Sequence, residues 1–212
     1  MSASHATRSH SYGEHSPLTP VDRIGVWLSS VAVRRHADLE GKRIADFGCG
    51  FDARFSRSVL GRVTGACLVD VHLAEDLKHD PKVSAMEGTI EEVLPTIPDA
   101  SIDVVLCLSV LEHLSDPQVA LDGFRRILAA EGVLLVNVPS WRGKMFLELS
   151  AFRLGLSPAS EMDDHKRYYD PRDLWPMLVR AGFRPSHIRC YRHKFGLNTF
   201  AVCRAAGEDV TQ

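Results

Sequence analysis

Short apolar runs alternate along this chain with stretches of helical periodicity. The runs predict strands at Arg43–Phe47, Ala66–Asp70, Val83–Glu87, Ile102–Leu108 and Val133–Val138. Several are continuously apolar rather than alternating, which marks strands covered on both faces, hence a parallel sheet with helices on each side. Between them the pattern predicts a helix over Ala53–Leu60, a short turn at Ile90–Leu94 and a helix over Pro117–Ala130. A first helix starts at Thr19-Pro20-Val21-Asp22, where Thr19 suits the cap, Pro20 the first helical position and Asp22 the exposed amides. It runs to about Leu39, with Gly41 closing it. After a polar and aromatic stretch over 139–169, with a helix near Lys144–Leu154, Asp170-Pro171 opens a helix that Gly182 closes. Two last runs, Ser186–Tyr191 and Asn198–Arg204, flank a short connection containing Gly196 and predict an antiparallel pair.

The totals narrow the class. At 212 residues and 45% hydrophobic, the chain has enough apolar surface for one domain with a full core. Residues 1–18, rich in Ser and His, read as a flexible tail ahead of a single domain over 19–212. A net charge of −2 lacks the basic excess of a nucleic-acid binder. No run of about 18 apolar residues is present, and the polar start has no signal-peptide core, so a cytoplasmic protein is expected. Five cysteines, none in CxxC spacing, read as reduced small hydrophobes, and no metal site is expected.

The candidate chemistry begins at Ile44-Ala45-Asp46-Phe47-Gly48-Cys49-Gly50-Phe51-Asp52. A strand ends in an acid, and two glycines follow in a tight turn where the backbone can approach a ligand closely. An acid at that point suits a cationic amine better than a phosphate. The next strand ends at Asp70, whose carboxylate can accept both hydroxyls of a ribose.

This segment resembles the first motif of class I S-adenosylmethionine (SAM)-dependent methyltransferases, and Asp70 is similar to their ribose-binding acid. The likeness continues through IDVVLCLSVLEH, the Gly132–Pro139 run and the closing pair, covering about residues 40–204. It implies an α/β, doubly wound, Rossmann-like fold, with a mostly parallel seven-stranded sheet and an antiparallel final strand. It also implies SAM as cofactor. By matching position, Asp46 should lie near the methionine amine, with Gly48, Cys49 and Gly50 along the methionine part. Asp70 should hold the ribose, Val71 the adenine face, and Thr89 and Ile90 the adenine edge. Leu108 and Ser109 should lie under the transfer zone, with His113 close by. Two positions depart from the pattern: Asp52 replaces the third glycine, and Thr89 replaces an acid that meets the adenine amine.

In this superfamily the segment after the fifth strand builds the acceptor site, here residues 139–169. Trp141, Tyr168 and Tyr169 could stack on a ring or sugar, and Arg142, Lys144 and Arg167 could hold phosphate or carboxylate. The bland alternative makes the tyrosines core and the charges a solvated face. A hydroxyl acceptor benefits from a general base, for which His113 and His165 are the candidates. DHKRYYDPRDLWP and HKFGLNTFAVC resemble methyltransferases that accompany bacterial polysaccharide-modifying enzymes, implying a small-molecule, sugar or glycan acceptor. Two rivals stay open here: an NAD-dependent oxidoreductase reading Gly48–Ala53 as GxGxxA, and a SAM-binding subunit without catalysis.

Overall fold

The computed structural model describes residues 10–14, 20–145 and 167–205. Strands Arg43–Phe47 (β1), Gly65–Asp70 (β2), Val83–Glu87 (β3), Ile102–Leu108 (β4), Leu128–Pro139 (β5), Ile188–His193 (β6) and Asn198–Arg204 (β7) form one sheet in the order β3-β2-β1-β4-β5-β7-β6. The pairs among β1 to β5 are parallel, and β7 runs antiparallel to both β5 and β6. The order reverses at β1, between β2 and β4. Open α/β sheets bind ligands beyond the strand ends at such a switch point, and here both Asp46 and Gly48 stand there.

The continuous apolar runs are explained by burial on both sides of the sheet. Ala45, Phe47, Val105, Cys107, Leu134 and Val136 face one core, while Ile44, Val104, Leu106, Val133 and Leu135 face the other. The helices are Pro20–His36 (α1), Arg54–Arg57 (α2), Glu75–Lys78 (α3), Ile90–Val93 (α4), Pro117–Ile127 (α5) and Pro171–Arg180 (α6). α5 fills the first core with Leu121, Phe124 and Ile127, and the Phe124 and Phe47 rings stack 4.7 Å apart. α1 closes the second with Ala32 and Val33. Losing a fully buried ring such as Phe124 costs about 3–5 kcal/mol in a core of this kind.

Local chemistry sets the boundaries. Asp116 accepts from the amides of Gln118 and Val119 and starts α5 at Pro117. The helix ends at Ile127, earlier than the expected Ala130, because Leu128 is extended and pairs with Ile102 of β4. α2 cannot begin at Ala53, which is left-handed at φ 43, and so covers only Arg54–Arg57. α1 stops at His36, while Leu39 packs into the second core from outside the helix. β6 begins at Ile188, after a 3-10 turn over Pro185–His187. The Thr19 cap and most of the helix expected at Lys144–Leu154 lie outside the described residues. Within the segment read as a tail, residues 10–14 pack against the end of β2, with Ser11 buried.

Candidate cofactor and acceptor site

The turn after β1 is held by the neighbouring strand. The amide of Gly48 donates to the carbonyl of Val69 at 2.7 Å, and Gly48 and Gly50 both take positive φ, 70° and 77°. A Cβ on Gly48 would lie 2.2 Å from Val110 Cγ2, and one on Gly50 would lie 3.1 Å from the carbonyl oxygen of Tyr12. Glycine is therefore required at both positions by conformation and by space. The thiol of Cys49 is pushed far up by burial and by the Asp46 and Asp70 charges, so it is no nucleophile near neutral pH.

Asp46 is buried at the end of β1, and its carboxylate accepts the Ser56 hydroxyl at 2.6 Å. Burial, with a contribution from the Asp70 charge, raises its pKa to about 6 against the pull of the Ser56 hydrogen bond. An ammonium group beside it would restore the charged form. Asp70, at the end of β2, accepts from the Gly50 amide at 2.7 Å, the Val71 amide at 2.8 Å and the Ser11 hydroxyl at 2.5 Å. The Ser11 hydroxyl offers Asp70 the same donor chemistry that a sugar hydroxyl has. An uncompensated buried acid 24 positions before a hydroxyl-accepting one, joined by a glycine turn, fits the methionine and ribose ends of SAM. The expected cofactor residues Asp46, Gly48, Cys49, Gly50, Asp70 and Val71 are thus brought together.

The others divide. Thr89 caps α4: its hydroxyl accepts from the Glu92 amide at 3.3 Å, and its own amide donates to Glu92 at 3.0 Å. Ile90 is buried in the first core. Leu108 is half-buried at the end of β4. Ser109 follows in the left-handed region at φ 62, its amide bonded to the Asn137 carbonyl at 2.7 Å. Backbone held in this way clusters at functional sites. His113 is half-buried in the next turn, its amide bonded to the Val110 carbonyl.

A family model for methyltransferase domains matches residues 45–136, the stretch from β1 through β5. Ubiquinone biosynthesis O-methyltransferase from Klebsiella pneumoniae (strain 342) is 27% identical over 207 residues, covering 93% of this chain and 83% of that one. A probable S-adenosylmethionine-dependent methyltransferase from Mycolicibacterium smegmatis is 30% identical over 162 residues, covering 74% and 58%.

Residues 45–136 thus carry a methyltransferase domain, and the chain is similar along most of its length to SAM-dependent methyltransferases.

Its cofactor is SAM, and the oxidoreductase reading is set aside. A SAM-dependent methyltransferase from Archaeoglobus fulgidus shares the fold at a TM-score of 0.61 and 16% identity, over 84% of this chain and 93% of that one. The [4+2]-cyclase SpnF shares it at 0.66 and 13%, over 95% and 88%. The fold therefore hosts more than one chemistry, and the class of this methyltransferase rests on its relatives.

On the acceptor side, a helical turn over residues 141–145 follows β5. It is clamped to the β6–β7 connection: the Ser140 hydroxyl donates to the Gly196 carbonyl at 2.7 Å and accepts from the Gly143 amide at 3.1 Å. Gly143 permits this contact, since a Cβ there would lie 2.2 Å from the Leu197 oxygen. Trp141 is 47% exposed, and its ring lies 5.6 Å from that of Tyr168. The Lys144 ammonium sits 5.6 Å from the first ring and 5.7 Å from the second. Arg142 is exposed. Arg167 donates to the Ser115 carbonyl at 3.2 Å, so it ties the returning chain to the loop before α5. Tyr169 is core, its phenol raised by burial. His165 lies outside the described residues.

Sequence reasoning missed Ser56 and Ser11. The amine of Lys194 is lowered to about 8 by burial, which outweighs the Glu112 charge nearby. A surface depression of about 640 Å³ between α6 and β6, lined by Trp175, Arg172 and Arg189, contains none of the motif residues. No helix among the described residues is long and apolar enough to cross a membrane.

Proposed function

We propose that this methyltransferase methylates a hydroxyl oxygen of a small-molecule acceptor that lays a flat face on Trp141 and Tyr168. The observation that carries the reading is the Trp141–Tyr168 aromatic pair with the Lys144 ammonium beside both rings, in the turn after β5. The name of the Klebsiella relatives supports oxygen as the acceptor atom. A sugar or glycan acceptor, implied by the 141–203 likeness, has no support from the relatives.

When bound, SAM supplies an electrophilic methyl on a sulfonium. The oxygen–methyl bond forms as the sulfur–methyl bond breaks, and the hydroxyl proton must leave. In this reading Asp46 would hold the methionine ammonium and Asp70 the ribose. Leu108 and Ser109 shape the floor of the transfer zone. Alignment of the acceptor supplies much of the rate in such a displacement. His113, one turn beyond that floor, takes the hydroxyl proton, directly or through water, as an imidazole can near neutral pH. Residues 139–145 and 167–169 are the described part of the acceptor wall in this reading.

The test is incubation of the protein with labelled SAM and separate panels of phenolic, quinol, sugar and nucleotide-sugar hydroxyl compounds. Label entering an aromatic hydroxyl supports the proposal. Label entering only the sugar panels overturns it.

A further inference from the structure

Outside the cofactor turn, the N-terminal segment meets the loop that follows β2. The Glu14 carboxylate turns back along its own segment and accepts the Ser11 amide at 2.9 Å. Nδ1 of His72 lies 3.1 Å from each of its oxygens, and Nδ1 of His10 lies 3.8 Å from Oε2. One donor atom from each of the three residues lies within 4.8 Å of the other two.

We propose that His10, Glu14 and His72 form a binding site for a divalent cation of the zinc class, fastening the N-terminal segment to the loop after β2.

The donor set decides the class of ion. Two imidazoles and one carboxylate suit zinc, cobalt or nickel, whereas magnesium and calcium favour oxygen donors throughout. The spacing fits as well. Zinc bonds of about 2.0–2.1 Å in a tetrahedron require ligand atoms roughly 3.3 Å apart. Two of the distances, 3.1 and 3.8 Å, already bracket that value. The third separation lies within 4.8 Å, and the His10 side chain that must close it is 58% exposed.

The frame is held without an ion. The Ser11 hydroxyl, while donating to Asp70, accepts the His72 amide at 2.7 Å, so the two ligand-bearing segments are tied together. The Ser11 amide orients the Glu14 carboxylate, the kind of outer contact that fixes ligands at metal sites. His72 is 47% exposed, which leaves an open position for water on the solvent side. The cysteine spacing, which speaks against a zinc site built on sulfur, has no bearing on this set. Its third ligand is 58 residues from Glu14, beyond the reach of any local spacing rule.

The rival is a plain ion pair between His72 and Glu14. The full-length chain, freed of metal with a chelator, should be titrated with zinc by calorimetry and with cobalt by visible absorption. The chain has ten histidines, so the site must be assigned by variants. The wild type should bind one equivalent of zinc and give the absorption of four- or five-coordinate cobalt. His72→Ala and Glu14→Gln should each weaken binding by at least about 10–100-fold. His79→Ala, at an exposed histidine just past α3, should leave it unchanged. All the altered side chains are at least partly exposed, and circular dichroism checks that each variant folds. Absence of stoichiometric binding, or wild-type binding in both His72→Ala and Glu14→Gln, overturns the proposal.

Discussion

Ser56 donates its hydroxyl to Asp46 across 2.6 Å, and both side chains are buried. The bond ties the acid at the end of β1 to the helix that follows the glycine turn. It also leaves the negative charge without a cation in a place where burial raises the pKa to about 6. Asp46→Asn keeps an oxygen for Ser56 and removes the charge. SAM affinity should fall about 10–150-fold, the range for a charge-assisted hydrogen bond. Calorimetry with SAM on the folded variant checks this.

The same substitution should stabilise the protein. The folded pKa of about 6 lies above the ordinary value of 3.8, so ionising the buried acid opposes folding. That cost is full above pH about 6, fades as pH falls, and is gone below the ordinary value. Asp46→Asn should therefore melt higher than wild type at pH 8, by up to about 3 kcal/mol of stability. The two curves should converge near pH 4. A lower melting temperature for the variant at pH 8 would contradict the assignment of Asp46 as an uncompensated charge.

Wild-type SAM affinity should itself depend on pH in a defined direction. Protonated Asp46 cannot attract an ammonium, so affinity should be flat above pH about 6 and fall by up to about tenfold per unit below it. In Asp46→Asn the dependence should vanish over this range. Titrations at half-unit steps from pH 5 to pH 8 make the comparison.

Asp70 and Ser11 make opposite predictions. Asp70→Ala removes the acceptor of the Gly50 amide and, in the proposed role, of the ribose hydroxyls. SAM affinity should fall by about 1–3 kcal/mol. Ser11→Ala removes a hydroxyl that already occupies an Asp70 oxygen. A ribose would then have no competitor there, and SAM should bind as tightly as in wild type or several-fold tighter, at about 0.5–1.5 kcal/mol per hydrogen bond. A large loss in Ser11→Ala would show that the N-terminal segment supports the cofactor site rather than competing with it.

Much of the frame was legible because it obeys a period. β1, β3, β4 and β7 have the boundaries expected from their runs; β1, β4 and β7 are buried along most of their length, whereas β3 is a half-exposed edge strand. Leu128–Ala130 are apolar in either reading, and only pairing across to Ile102 settles them as strand. Ala53 fits a helical pattern, yet its left-handed backbone delays α2. The partners of the two acids were illegible for another reason. Ser56 lies 10 residues from Asp46, and Ser11 lies 59 from Asp70. Neither serine carries a periodic signal, so only the folded chain brings them to the carboxylates.

The acceptor wall gives the last prediction. Trp141 and Tyr168 form an aromatic pair with the Lys144 ammonium beside both rings, and Trp141 is 47% exposed. A side chain so exposed contributes little to the core, so Trp141→Ala should leave the melting temperature and SAM affinity nearly unchanged. If its face carries the acceptor, KM for the acceptor should rise about tenfold, the loss of one aromatic contact of about 1–1.5 kcal/mol. Tyr168→Phe keeps the ring and should change little, while Tyr168→Ala should resemble Trp141→Ala. His113→Asn should act differently. If His113 takes the hydroxyl proton, kcat should fall about 10²–10⁴-fold with KM almost intact, and the loss should shrink at high pH as the hydroxyl ionises by itself. The bland alternative is that the two rings and Lys144 are only a packed surface. Trp141→Ala and Tyr168→Ala would then lower the melting temperature, and turnover would fall only with the folded fraction. Measuring melting temperature, SAM affinity, KM and kcat together on the four variants separates these outcomes. Unchanged KM in both alanine variants would remove this wall from the acceptor site.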